Sequence, residues 1–358
     1  MKRRDFVKSL GMTSLAASGV LSGCDRLAAP LPLEPYKPGF TPNILFISVD
    51  DLNDWVGCLG GYEGVHTPNI DRLASQSQLF TNAHCPAPIC NPSRTATMFG
   101  LNPFSTGIYF NEHQMRLSQR LRNAPTLQQY LMKYGYLSTG SGKIYHRYDP
   151  GSWTSHYPER KTRFDEEYHV DKSLLPYPEN HLFNWYALEN FDESLMSDSK
   201  TAHWVAEQLA QPFTQPTFLA CGIYLPHLPW ILPKAYFDLY PLESISLPMI
   251  KEDDLDDIPE EGRKLAYVNR HKRLVKDHNW KKAIQAYLAS ITFMDAQVGK
   301  VLDALEHGPN KENTMVVLWS DHGWHLGEKL HWSKYTLWEE ATRIPLIFKV
   351  PGLTKAGT

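Results

Sequence analysis

The chain has 358 residues, 42% apolar and 12% aromatic, with 26 Pro and 22 Gly, enough to bury the core of one large domain with or without an appendage. Its 36 basic and 39 acidic residues leave a formal net charge of -3, so the basic footprint of a nucleic-acid-binding protein is absent and no nucleic-acid partner is expected. The 15 His and 10 Trp suit proton transfer, anion contacts and stacking on sugar faces, although packing alone would also account for them.

Taken in chain order, the first feature is an address. Lys2-Arg3-Arg4-Asp5-Phe6-Val7-Lys8 is a twin-arginine segment, followed by a mildly apolar run from Ser9 to Leu21 too short and too rich in Gly, Ala and Ser to anchor in a bilayer. Leu21-Ser22-Gly23-Cys24 resembles a bacterial lipobox, with an ordinary cleaved signal as the alternative. Residues 1–23 are therefore expected to be a signal peptide and Cys24 the lipidated residue. Pro30-Leu31-Pro32-Leu33-Glu34-Pro35 makes 24–40 an extended tether, which leaves 41–358 as the folded domain. The expected location is outside the cytoplasm, in the periplasm or on the cell surface, with the membrane as partner through the lipid.

Asn43-Ile44-Leu45-Phe46-Ile47-Ser48-Val49 reads as a buried strand ending at Asp50-Asp51. Thr67 caps a helix that has Pro68 at its first position. A helix follows over Ala124–Tyr134, then a short strand into Gly142-Lys143, a helix over Lys200–Leu209 and a strand over Thr217–Cys221. A long helix spans Lys281–Glu306, a strand spans Thr314–Trp319 before Ser320-Asp321-His322, and a last strand covers Ile344–Val350. Strands alternating with helices predict an α/β fold, a largely parallel central sheet flanked by helices with its site at the carboxyl edge. Residues 150–195 and 240–275 lack periodicity and read as long insertions over the site. The ending at Thr358, soon after the last strand, is abrupt for such a fold and suggests a fragment lacking a C-terminal subdomain. Of the five Cys, Cys24 belongs to the signal and Cys90 to the site, so at most one bridge can form among Cys58, Cys85 and Cys221.

Two strand ends carry acidic groups, Asp50-Asp51 and Asp321-His322-Gly323. Brought together by a sheet, three carboxylates would repel unless a cation sat among them, and hard oxygen donors suit Ca²⁺ or Mg²⁺. The sharpest signal is Cys90-Asn91-Pro92-Ser93-Arg94 ahead of a helical stretch. A Cys at a helix start has its anion favoured by free N–H groups and the helix dipole, and Arg94 adds positive charge one turn later. The alternative is a structural Cys beside a turn.

Cys-x-Pro-Ser-Arg resembles the signature of sulfatases of the alkaline-phosphatase superfamily, in which that Cys becomes Cα-formylglycine. The resemblance covers residues 42–350 and is nearest to the iduronate-2-sulfatase-like branch. It rests further on Ser48-Val49-Asp50-Asp51-Leu52, Thr67-Pro68-Asn69-Ile70-Asp71, Gly142-Lys143-Ile144-Tyr145-His146, Pro226-His227-Leu228-Pro229, the run from Ser320 to Glu328, and Trp332-Ser333-Lys334-Tyr335. It implies that 41–358 is a sulfatase catalytic domain, with Ca²⁺ held by Asp50, Asp51, Asp321, His322 and the modified Cys90. Arg94, Lys143, His146, His227 and Lys334 would surround the aldehyde hydrate and the sulfate. One hydroxyl of the hydrate would attack sulfur, Lys143 and Lys334 would offset charge on the sulfuryl oxygens, His227 or Lys334 would protonate the leaving alcohol, and His146 would help restore the aldehyde. The implied partners are a sulfated carbohydrate and a formylglycine-generating maturase. Where iduronate sulfatases place a basic residue two positions after the Asp pair, this chain has Asn53, so iduronate specificity does not carry over. Competing expectations are a phosphomonoester or phosphonate ester hydrolase, an arylsulfatase, and an inactive surface glycan-binding lipoprotein using Trp153, Trp185 and Trp230.

Overall fold

The computed structural model describes residues 41–158, 161, 168–180 and 182–357. The signal, lipobox and tether fall outside the described residues. Strand β1 (Asn43–Val49) is buried along its whole length, as a continuous apolar run in a sheet covered on both faces must be. It lies between β6 (Thr217–Ile223) and β8 (Thr314–Ser320), parallel to both, with Val49 opposite Ile223 and Ser320. Outward from β6 come β3 (Leu137–Gly142) and β4 (Ser155–Tyr157), both parallel. Beyond β8 lie β11 (Leu346–Lys349), antiparallel to its neighbours, and the short β2 (Gln78–Leu79). The largely parallel sheet expected from the alternating pattern is therefore present.

The period of two sorts the core into layers. Leu45, Ile47 and Val49 pack with α1 (Pro68–Ser75), α4 (Ser197–Leu209) and the 28-residue α6 (Trp280–His307). Ile44 and Phe46 face the other way, toward Met98 of α2 (Cys90–Phe99) and Leu131 of α3 (Leu127–Lys133). Helix α3 starts at a Thr126–Gln129 capping box, three residues later than the apolar pattern suggested.

Two readings need correction. Thr67 stands at the head of α1, but its hydroxyl does not cap it. It receives the Gly57 N–H at 2.8 Å, and the free N–H groups of Asn69 and Ile70 are taken by Asp295 of α6 at 3.1 and 2.8 Å. A carboxylate 225 positions away in sequence satisfies a helix start that looked self-sufficient. The insertions are also more regular than their sequences suggest. The first contributes edge strand β4 and strand β5 (Trp185–Leu188), which pairs with β7 (Trp230–Pro233) in a separate two-stranded sheet. The second contains helix α5 (Val268–Lys276). Cys58, Cys85, Cys90 and Cys221 are all free thiols.

Candidate active site

Apart from Cys90 and Arg94 of α2, each site residue stands at the carboxyl end of a strand or in the loop after it. Asp50 and Asp51 follow β1, Lys143 follows β3, His227 lies between β6 and β7, and Asp321 and His322 follow β8. Lys334 follows a small hairpin of β9 (His325–Leu326) and β10 (Trp332–Ser333). Cys90 opens α2, its chain entering through Ile89 in extended conformation. The strand ends come close enough only because of glycine. Gly142 has φ +81°, and a Cβ there would lie 1.9 Å from the Gly222 carbonyl oxygen, so β3 and β6 can deliver Lys143 inward.

Ligand atoms of Asp50, Asp51, Cys90 and His322 lie within 4.8 Å of one another, all buried, in a group that could hold a metal ion. Asp50 Oδ1 and Asp51 Oδ2 are buried without a hydrogen-bond donor. Orphaned carboxylate oxygens are costly in a folded interior, and a hard cation would satisfy both. Asp321, expected as a fifth ligand, stands beside the group. Its Oδ2 takes Arg94 Nε at 2.7 Å, and its Oδ1 takes the Asp51 N–H at 3.2 Å and lies 3.6 Å from His322 Nε2.

The cations are threaded among these anions. Lys143 pairs with Asp50, and Lys334 Nζ donates to Asp51 Oδ1 at 2.6 Å and to Cys90 Sγ at 3.1 Å. His322 Nε2 is 3.3 Å from Cys90 Sγ. His146 adds to the groups that favour the Cys90 anion, and its Nδ1 is buried without a partner. Burial pushes the Cys90 thiol up, yet Lys143, Lys334, His322 and His146 together hold it well below its ordinary value. His227 reaches the site from the rim. Its Nδ1 donates to the Leu228 carbonyl at 2.6 Å, which turns Nε2 toward Asp51 Oδ2 at 4.0 Å.

Arg94 lies deep in the same network. Fully buried, it donates to Ser48 Oγ, Lys143 O and Ile144 O as well as Asp321, and its Nη2 lies 3.3 Å from Asp50 Oδ1. It braces two carboxylates and two strand ends. Three braces passed unnoticed in the sequence. Ser93 Oγ donates to Asp321 O, Ser320 Oγ accepts the Leu52 N–H, and Asp198 of α4 accepts the Tyr224 and Leu225 N–H groups ahead of His227. Ser93 and Ser320 lay inside quoted motifs, but Asp198 carried no local signal.

The three Trp expected to serve a glycan-binding surface are not where a sugar could stack on them. Trp153, Trp185 and Trp230 are 8%, 7% and 0% exposed and belong to the core. Asn53 is equally withdrawn, its amide spent on the Trp324 carbonyl and the Trp55 N–H.

Comparison with known proteins adds the kinship of this arrangement. A family model described as Sulfatase matches residues 42–358. A sulfatase of Formosa agariphila is 42% identical over 340 residues, covering 88% of this chain and 65% of the relative. Human iduronate 2-sulfatase is 33% identical over 341 residues, covering 87% and 60%. The chain thus spans under two thirds of the length of either. Among solved structures, the phosphonate monoester hydrolase SpPMH of Silicibacter pomeroyi superposes with a TM-score of 0.70 at 20% identity, over 88% of this chain and 69% of that one. At that identity the likeness concerns the fold.

Proposed function

Because the chain belongs to the sulfatase family, we propose that it hydrolyses sulfate esters on saccharides, using Cys90 converted to Cα-formylglycine beside one Ca²⁺. The observation that carries this reading is the convergence of Asp50, Asp51, Cys90 and His322 around two orphaned carboxylate oxygens. Those four residues, with Asp321 beside them, would hold the ion, which lowers the cost of placing negative charge next to it. A hydrated aldehyde at position 90 supplies a hydroxyl nucleophile and a second hydroxyl through which the aldehyde is regenerated.

The chain's own residues do the rest. Lys334, in contact with both Cys90 Sγ and Asp51, holds a positive charge where the sulfuryl oxygens would lie, and Lys143 does the same from the Asp50 side. His227 Nε2, on the exposed side of the site, is placed to give a proton to the departing alcohol, with Lys334 beside it. His146, whose Nδ1 is buried without a partner and which favours the Cys90 anion, would take one from the group that replaces the thiol. Arg94 and Ser93 keep Asp50, Asp321 and the head of α2 in register.

The same reading includes export along the twin-arginine route, anchoring through Cys24, and oxidation of Cys90 by a maturase before folding, since a fully buried side chain is out of reach afterwards. Two measurements test it. The peptide bearing position 90 from the native host should be about 18 Da lighter than its Cys form, the difference between a thiol and an aldehyde side chain. Rates on matched sulfate and phosphate or phosphonate esters of one saccharide should favour the sulfate. A preference for the phosphorus ester would transfer the site to the phosphonate hydrolase chemistry whose fold it shares.

A further inference from the structure

Helix α5 (Val268–Lys276) carries Arg270, Lys272, Arg273 and Lys276, and is tied to the core by Leu274 and by His271, whose Nδ1 accepts the Trp332 indole N–H at 3.2 Å. Its two arginines are treated differently. Arg273 pairs with Glu179 at 2.5 Å and Asp277 at 3.5 Å. Arg270 is half-buried between the rings of Phe183 and Tyr267, its guanidinium carbon 4.7 and 4.8 Å from their centroids, and its Nη1 lies 3.4 Å from the Trp332 carbonyl. Among the described residues no carboxylate lies within ion-pair distance of it. Burial lowers its pKa. A partly desolvated cation without an anion is costly to keep, and two aromatic faces hold it in one orientation.

Its position adds meaning to the cost. The Trp332 carbonyl beneath Arg270 is two residues before Lys334, whose ammonium touches Cys90 Sγ. Tyr335, 41% exposed, directly follows Lys334 in that loop. The loop between is rigidly set. Ser333 and Tyr335 adopt φ of +125° and +78°, the Tyr335 N–H is held by Pro88 O at 3.0 Å, and the Lys334 carbonyl accepts His331 Nε2–H at 2.8 Å. We infer that Arg270, held over the loop that carries Lys334, is an anion subsite at the mouth of the active site, which binds a second negative group on the saccharide whose sulfate ester meets Cys90. The inference rests on the sulfate-ester reading. The second group is a carboxylate or a further sulfate, to either of which a guanidinium fork offers paired donors.

The test uses three sulfated monosaccharides: one with a carboxylate, one with a second sulfate, and one with a single sulfate on a neutral ring. In the mature enzyme, Arg270→Gln should lower the ratio of kcat/KM for a doubly charged sugar over the singly charged one by about 10- to 100-fold, mainly through KM, and Arg270→Lys should recover part of it. The arm that loses more identifies the second group. Calorimetry on Cys90→Ala protein, which cannot turn over, should show the same loss of affinity for that sugar when Arg270→Gln is added. That readout decides the subsite even if wild-type enzyme cleaves none of the esters, a result that would overturn the proposed reaction alone. Equal losses on all three sugars would mean that Arg270 only pins α5 to the Trp332 loop, and an unchanged ratio and affinity would equally end the inference.

Discussion

The floor of the site and its rim are built on opposite principles. At the floor each charged side chain has an oppositely charged neighbour, although one oxygen each of Asp50 and Asp51 is left without a donor. Asp50, Asp51, Asp321 and Cys90 are matched by Arg94, Lys143, Lys334 and His322, all buried. At the rim, Arg270 has no carboxylate partner among the described residues, His227 and Tyr335 meet solvent, and Trp153, Trp185 and Trp230 are turned inward. A mutually neutralised floor runs one chemistry and tolerates little change, because removing one partner leaves a buried charge uncompensated. A rim with charge to spare can read the substrate.

The hardest way to break this contrast is at the floor. Cys90→Ala should remove turnover by at least about 10³-fold, since the nucleophile has no substitute, while circular dichroism and melting temperature stay close to wild type. Substantial activity in that variant would sink the proposal. Stripping the metal with a chelator, or Asp51→Asn, should cost a comparable factor, restored in the wild type by added Ca²⁺ and followed by elemental analysis. A metal-free preparation that retained full rate would show that the orphaned oxygens of Asp50 and Asp51 serve another purpose.

Trp230→Ala probes the support beneath the rim. Fully buried against Phe183, Trp185 and Tyr287, it should cost about 3–5 kcal/mol of stability, measured by denaturant unfolding, with saccharide affinity per folded molecule unchanged. Lost affinity in a stable protein would return the insertions to sugar stacking. The smallest effect concerns His325 and His331, whose pKa values burial lowers to about 3 and about 4. His331 accepts the Tyr267 N–H, donates to Lys334 O and feels Arg270, while His325 faces Thr336, Lys329, Glu340 and His331 itself. Both are neutral when folded, so as pH falls from 6.5 toward 4 the unfolded chain takes up protons that the folded one refuses. Stability should therefore decline over that window by on the order of a few kcal/mol, and His331→Gln should flatten part of the slope. An unaltered slope in that variant would show that His331 does not carry it.

Much of the floor was legible because its signals are local. Asp50-Asp51 end an apolar run, Cys90 precedes a helix with Arg94 one turn on, and Asp321-His322 end another run. Such patterns follow from the periods of strand and helix and need no knowledge of the rest of the chain. Helix α5 was missed since only His271 and Leu274 of its nine residues are buried, too sparse a pattern to show a period. Strand β4 was missed since three residues at a sheet edge show little alternation.

The sequence by itself determined five strands of the central sheet, among them β1, β6 and β8, and the identity of the candidate reacting groups, because both are written in short runs of residue type. Tertiary structure alone decided what those groups are committed to. Arg94 became a brace, Asp295 became the cap of a helix that carries its own Thr, and three Trp became core. Lys334 reaches Asp51 across 283 positions of chain, and Arg270 was left, among the described residues, without an anion beside the same loop. Charge pairing and desolvation depend on distances in space, and no local pattern encodes a distance between residues that far apart in sequence.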